Sequence, residues 1–356
     1  MTFVIIAFVV AYFFALNIGA SGAAAAISVA HGTGAISSKR IALAVCSLGI
    51  CLGAILGGGE VVETVGKGIV SEKVLTVEIV IVILASAALS LFIANLLGIP
   101  LSTSEVAVGA VVGVGISLQS LNLETLFIIM AFWIVVPVVG FLLSFTVRKL
   151  FMRMKKKQHS DKKKRLFIIL LIGTGFLESF SAGMNNVANA VGPLVGAGLL
   201  SVDNAVVSGG ICVALGAFLF GGKVVETNAN NITKMSLTEG IVISGTSGIL
   251  VVSASLFGIP IPLTQVTTTS IVGVDCAKTG MKIWQKSIIS RIIKVWIVSP
   301  VFSLVLAYAL MIGLFQQDVY TLFILLSVMI ATIGTMSLIV SIKKEKQSIH
   351  EHGGGI

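Results

Sequence analysis

Amides and hydroxyls, not acids or nucleophiles, are the side chains here whose spacing could do chemistry. Asn185, Asn186 and Asn189 stand in the stretch Gly183-Met184-Asn185-Asn186-Val187-Ala188-Asn189. Ser102, Thr103 and Ser104 follow the corner Gly98-Ile99-Pro100. Both stretches lie inside otherwise apolar sequence. Such groups donate hydrogen bonds without adding charge, so they suit a negative ligand whose oxygens only accept. A matching pair of places offers Ser21 and Gly22, within Gly19-Ala20-Ser21-Gly22, and Thr264, after Gly258-Ile259-Pro260. Glycine and proline interrupt helices, and the freed backbone groups must be satisfied inside the protein because lipid cannot do it. The N-terminus of a half-helix carries free N–H groups and the positive end of the dipole, which favours an anion.

Acids are few. Glu63 and Glu226 occupy matching places, and Glu105 follows the hydroxyl run directly. An ionisable group at membrane depth is costly and defaults to a functional role, so these three are the candidates for ion coupling. Glu60, Glu78 and Glu178 are further candidates, and His31 could relay protons. Cys46, Cys51, Cys212 and Cys276 have no metal or redox spacing, and the four histidines form no constellation. No metal, cofactor or catalytic residue is expected, and an intramembrane enzyme is disfavoured.

The elements that must hold these groups come in duplicate. Glu63-Thr64 answers to Glu226-Thr227, Gly98-Ile99-Pro100 to Gly258-Ile259-Pro260, and Trp133 with Pro137 to Trp296 with Pro300. The offset stays between 160 and 164 (19 to 183, 63 to 226, 100 to 260, 137 to 300). A duplicated membrane unit with matched interruptions marks a secondary transporter, its site lying where the broken segments meet. A channel also uses broken helices, but two matched halves in one chain favour a carrier.

Composition makes a soluble domain untenable: 56% of residues are hydrophobic and 11% charged, with a mean hydropathy of +1.08. The runs Val74–Leu97, Leu126–Val147, Ile289–Leu314 and Tyr320–Ile342 reach the roughly 20 residues that cross a bilayer. Leu166–Leu177 and Val206–Gly221 are shorter and read as pieces of interrupted helices. Ala7–Leu16 has no basic residue before it and reads as a retained helix.

The net charge of +9 does not signal nucleic acid, because ten of the basic residues lie between Arg148 and Arg165. Lys343, Lys344 and Lys346 follow the last apolar run. Both clusters are expected on the cytoplasmic face, where they can also touch anionic lipid. The chain thus divides into a first membrane repeat (1–147), a basic cytoplasmic loop (148–165), a second repeat (166–314), a final helix (320–342) and a cytoplasmic tail (343–356). The second repeat then runs from inside to outside, an odd number of crossings. An alike first repeat begins outside, so the two are inverted.

Over nearly its full length the chain resembles the inorganic phosphate transporter family. That family carries in each half a signature close to Gly-Ala-Asn-Asp-x-Ala-Asn followed by Gly-x-Gly, and later Gly-Leu-Pro-x-Ser-Thr-Thr-His. Gly183–Asn189 with Gly196 and Gly198 match the first, and Gly98–Ser104 the second. The resemblance implies an all-α integral membrane protein of two inverted repeats, with broken or re-entrant helices at the midplane and about 11–12 membrane segments. It also implies cation-coupled uptake of a tetrahedral oxyanion, in the cell membrane. A homodimer is an open expectation.

Departures from the pattern sharpen the substrate. Ser21-Gly22 replace Asn-Asp in the first half, where Ala25 replaces the later Asn, and Asn186 replaces the Asp in the second. Glu105 and Gln265 take the histidine position, and Pro262-Leu263 the second Ser-Thr. Both signature carboxylates are gone. Phosphate near neutral pH has a proton for a carboxylate to accept, whereas sulfate has none, so the change favours sulfate or a related oxyanion. The pattern is similar to the bacterial sulfate permease branch of the family. Sodium sites commonly recruit Asp, and the signature Asp residues are missing here, so H+ is favoured over Na+ as the coupling cation.

Overall fold

The structure is a computed structural model and describes residues 1–96, 101–153, 161–232, 235–280, 287–318, 320, 321 and 323. Every regular element among them is a helix. The first repeat holds α1 (Thr2–Ile18), α2 (Ser28–Gly32), α3 (Lys39–Gly57), α4 (Gly59–Glu63), α5 (Val77–Leu96), α6 (Thr103–Ser117) and α7 (Leu123–Arg153). The second holds α8 (Asp161–Gly196), α9 (Val202–Phe220), α10 (Gly222–Ile232), α11 (Leu237–Leu256), α12 (Leu263–Thr279) and α13 (Ser287–Met311). α1 through α2 answers to α8, and α3 to α7 answer in order to α9 to α13.

Local chemistry explains the starts. Ser38 caps α3 by accepting from Ile41 N, and Ser201 caps α9 by accepting from Asn204 N, at matched positions. Ser236 and Glu239 form a reciprocal capping box on α11. Gly34 and Gly198, also matched, both take a positive φ (79° and 68°) to turn the chain out of α2 and α8.

Helix partners exchange between the repeats. α6 packs on α13 and α7 on α12; α3 packs on α8 and α9 on α1; α5 lies on α1 and α11 on α8. The exchange holds at atomic detail: a Cβ on Gly19 would lie 1.9 Å from Val213 O, and one on Gly183 2.0 Å from Ile50 O. Those two carbonyls are themselves a matched pair. Backbones this close leave no room for a side chain, which is why glycine holds both places.

Eight helices among the described residues are long and apolar enough to cross a membrane, and the protein is multi-pass. Of the long runs expected from sequence, Leu126–Val147 falls within α7, while Val74–Leu97 and Ile289–Leu314 overlap α5 and α13. The fourth, Tyr320–Ile342, lies outside the described residues apart from 320, 321 and 323, as do Gly98–Pro100 and the 343–356 tail. Leu166–Leu177 and Val206–Gly221 correct the reading: they belong to full-length spans, Lys164–Gly196 and Val202–Phe220. Lys39–Gly57 and Leu237–Leu256 also qualify, though glycines and serines kept them from standing out.

A second correction concerns the interruptions. Gly19–Ala23 does open into a π turn before the chain bends into α2. Gly183–Asn186, by contrast, lies within the unbroken α8. There the glycine serves close approach to α3, and the helix ladder continues through it. α6 is the short element. Its 15 residues span about 22 Å against a hydrocarbon thickness of roughly 30 Å, and it is buried from Thr103 to Gly115.

One ionic cluster ties the far end of α7 to α11 and α12. Buried Arg148 donates to Glu239 Oε1 at 2.5 Å and to Thr238 Oγ1 at 3.1 Å. Lys278 Nζ meets the same Glu239 oxygen at 2.7 Å. Several donors on one buried carboxylate are what makes such burial tolerable.

Candidate functional site

α6 starts against the middle of α8, and this meeting point brings most of the predicted residues together. Thr103 Oγ1 donates to Asn186 Oδ1 at 3.1 Å, and Ser104 Oγ donates to Asn185 Oδ1 at 3.2 Å. Asn189, one turn along α8, donates from Nδ2 to Ser104 Oγ at 3.3 Å. Positions 185, 186 and 189 share a helix face because residues three and four apart stack on one side. All five side chains are buried. Gly22 borders them from the π turn: a Cβ there would sit 3.6 Å from Thr103 Cγ2.

Asn185 is fully engaged. Its Oδ1 also accepts from Ile261 N at 3.2 Å, and its Nδ2 donates to Ser255 Oγ at 3.0 Å and Ile259 O at 3.2 Å. Two donors and two lone pairs are thereby used up. Asn185, expected as a ligand, therefore braces the start of α12 against the start of α6. Asn189 Oδ1, in contrast, is buried without a partner.

α6 begins beside this cluster. Ser102 is its N-cap and makes no side-chain cap bond, so the orphan donors of the first turn have no local acceptor there. Ser102 N itself donates to Ser299 Oγ at 3.3 Å. The result is a cluster of neutral amides and hydroxyls at a helix N-terminus, a setting that favours an oxyanion.

Glu105 sits on another face of α6, one residue and 100° on from Ser104. Gln265 Nε2 donates to its Oε1. Glu105 and Gln265 are the same position in the two repeats, so this bond straddles the relation between them. The pair lines an apolar cavity of 540 Å³, as do Trp133 and Trp296, another matched pair. Trp133 Nε1 donates to Pro260 O at 2.8 Å and pins the corner before α12.

The remaining predicted residues lie apart. Ser21 Oγ donates to Asn17 O of its own helix at 2.8 Å. Thr264 is half-buried, and its carbonyl accepts from Thr268 Oγ1 at 2.6 Å. Glu63 is exposed. Glu226 is exposed and pairs with Lys39 Nζ at 2.9 Å; that ammonium holds its carboxyl below the usual carboxylate range. Neither acid reaches the asparagine cluster. Sequence reasoning had no signal for Ser255 and Ser299, which look like any other helical serine until the fold places them.

A profile of the phosphate transporter family matches residues 18–307. The chain belongs to that family. It is 52% identical, over 97% of both chains, to a Bacillus subtilis protein named sulfate permease CysP. A putative phosphate permease of Pyrococcus furiosus is 26% identical over 79% of this chain and 89% of its own. Among solved structures, one titled the sodium-dependent phosphate transporter superimposes with a TM-score of 0.76 at 26% identity, covering 87% of this chain and 98% of that one. The family, the relatives and the eight spans make this a multi-pass membrane transporter of the oxyanion-carrying kind.

Proposed function

We propose that this transporter imports sulfate by symport with a cation, protons being favoured over sodium. The observation that carries the reading is Asn186. Where the family pattern has a carboxylate, this chain buries a carboxamide bonded to Thr103, and no carboxylate hydrogen-bonds to Asn185, Asn186 or Asn189 among the described residues. A fully ionised dianion meets only neutral donors there. The 52% identical relative named for sulfate supports the same substrate.

Thr103, Ser104, Asn186 and Asn189 offer the contacts, the first turn of α6 adds backbone N–H groups, and Ser102 and Gly22 border them. Each charge of the dianion entering against an inside-negative potential costs about 2.3 kcal/mol per 100 mV, so co-entering cations must offset it. Glu105, held by Gln265 beside the cluster, is the acid placed to carry one. Reciprocal helix contacts and the basic 148–165 segment support two inverted repeats opening one site to each face in turn.

A second reading is phosphate import with sodium, favoured by the names of the more distant relatives and of the solved structure. Radiolabelled uptake into proteoliposomes separates the two. Sulfate accumulation driven by a pH gradient, poorly inhibited by excess phosphate, is expected. Efficient phosphate uptake that sulfate does not compete with sinks the proposal.

A further inference from the structure

One buried acid is left unused by this account. Glu178 sits on α8, two turns before Asn185, and is 1% exposed. Thr267 Oγ1 of α12 donates to its Oε1 at 2.7 Å, and Ser247 Oγ of α11 lies 2.8 Å from that threonine hydroxyl. Ser244, one turn earlier on α11, is buried with its hydroxyl unpartnered. Glu178 Oε2 is buried without a partner. Cys46 on α3 is the titratable group that faces it, and no basic side chain acts on it among the described residues.

The first repeat shows what these positions look like without a task. The residues matching Glu178, Ser244, Ser247 and Thr267 are Phe14, Leu84, Ala87 and Ala107, all buried and apolar. The same three-helix junction packs well with no polar atom in it. An acid with three hydroxyls in the second repeat is therefore not demanded by packing, and burial without a counter-charge is costly. A buried carboxylate oxygen with no donor is satisfied by taking up a proton. The transport reading also has a deficit that fits: Glu105 carries one cation, and sulfate brings two negative charges.

We propose that Glu178 is a second proton-carrying residue of the cycle, loaded and unloaded in concert with the sulfate site two turns along the same helix. Oε2 takes one proton on the outer-facing side and returns it to water on the inner-facing side, with Thr267 and Ser247 holding the ionised form. The proposal rests on the proton-symport reading above.

The test is static-head accumulation of radiolabelled sulfate in proteoliposomes at clamped zero membrane potential. Each coupled proton contributes about ten-fold accumulation per pH unit of gradient. Glu178→Gln is expected to lower the plateau about ten-fold at one pH unit while sulfate–sulfate exchange continues. Thr267→Val keeps the acid but removes a donor to its ionised form, so the midpoint of the pH dependence should move to higher pH. An unchanged plateau in Glu178→Gln overturns the proposal, as does a plateau in the parent protein that follows an imposed sodium gradient at equal pH. If the parent protein accumulates no sulfate at all, the sulfate reading fails by itself. Infrared difference spectra on pH change then judge Glu178 alone. The protonated-carboxyl band it contributes should be absent in Glu178→Gln, and identical spectra would refute the assignment. The same spectra decide the matter if Glu178→Gln inserts poorly, through the shift expected in Thr267→Val.

Discussion

The two repeats share a skeleton and differ at several buried polar positions. Gly19 and Gly183 admit matched carbonyls at nearly the same distance, and α6 on α13 repeats α12 on α7. Yet Asn185, Asn186 and Asn189 of the second repeat correspond to Ser21, Gly22 and Ala25 of the first, and the Glu178 junction corresponds to an apolar one. At the helix ends, Arg148 and Glu239 correspond to Met311 and Ile79, both buried. Packing tolerates either chemistry at these positions, so the polar version is there for another reason. The backbone is repeated, while the buried amides among the described residues are confined to the second copy.

The strongest way to break this comparison is to strip one side of the ionic cluster. Arg148→Ala leaves Glu239 short of its buried partner and should cost roughly 3–5 kcal/mol, seen as a large fall in the Tm of detergent-purified protein. Replacing Arg148 with Met and Glu239 with Ile together copies the other end of the molecule and should cost less than the single change. A double variant no better than Arg148→Ala would mean that the two ends are not interchangeable.

The skeleton comes next. Gly19→Ala and Gly183→Ala each drive a methyl group into a carbonyl across the repeat boundary, and each should cost roughly 1–3 kcal/mol by thermal unfolding. Similar losses support a shared frame; a loss confined to one site argues that the close approach matters in one repeat only.

Chemistry is probed by Asn186→Asp. A carboxylate beside sulfate repels it, so sulfate affinity should fall by roughly 1–3 kcal/mol while phosphate becomes the better competitor. Competition assays in proteoliposomes read both. Unchanged affinities would demote the cluster to helix packing.

The smallest effect is expected at Glu226. Glu226→Gln removes one exposed ion pair, and sulfate uptake and its gradient dependence should be unchanged within error. Because Lys39 holds that carboxyl below its usual range, the pair persists at neutral pH and is lost only as the pH falls through the depressed value. A clear loss of gradient coupling in Glu226→Gln would return this acid to the mechanism.

Much of this was readable in the chain itself. Hydropathy dictated a helical membrane protein, because only helices satisfy their own backbone in lipid within such short segments. The 160–164 offset announced the repeats, and the glycine-asparagine and Ser-Thr-Ser runs named the residues that meet as Thr103, Ser104, Asn186 and Asn189. Their partners were out of reach. Local sequence cannot say that Gly183 keeps a helix whole while Gly19 opens one, because the difference lies in what packs across from each. Nor can it rank acids: Glu63, Glu226 and Glu178 differ little as letters. Burial against α11 and α12 singles out Glu178, and exposure beside Lys39 turns Glu226 into a surface pair. The sequence by itself determined the membrane, the repeats and the neutral donors. Only the tertiary structure decided which donors converge, which are spent bracing helices and which acids are sealed, since burial and hydrogen-bond partners are set by residues far apart in the chain.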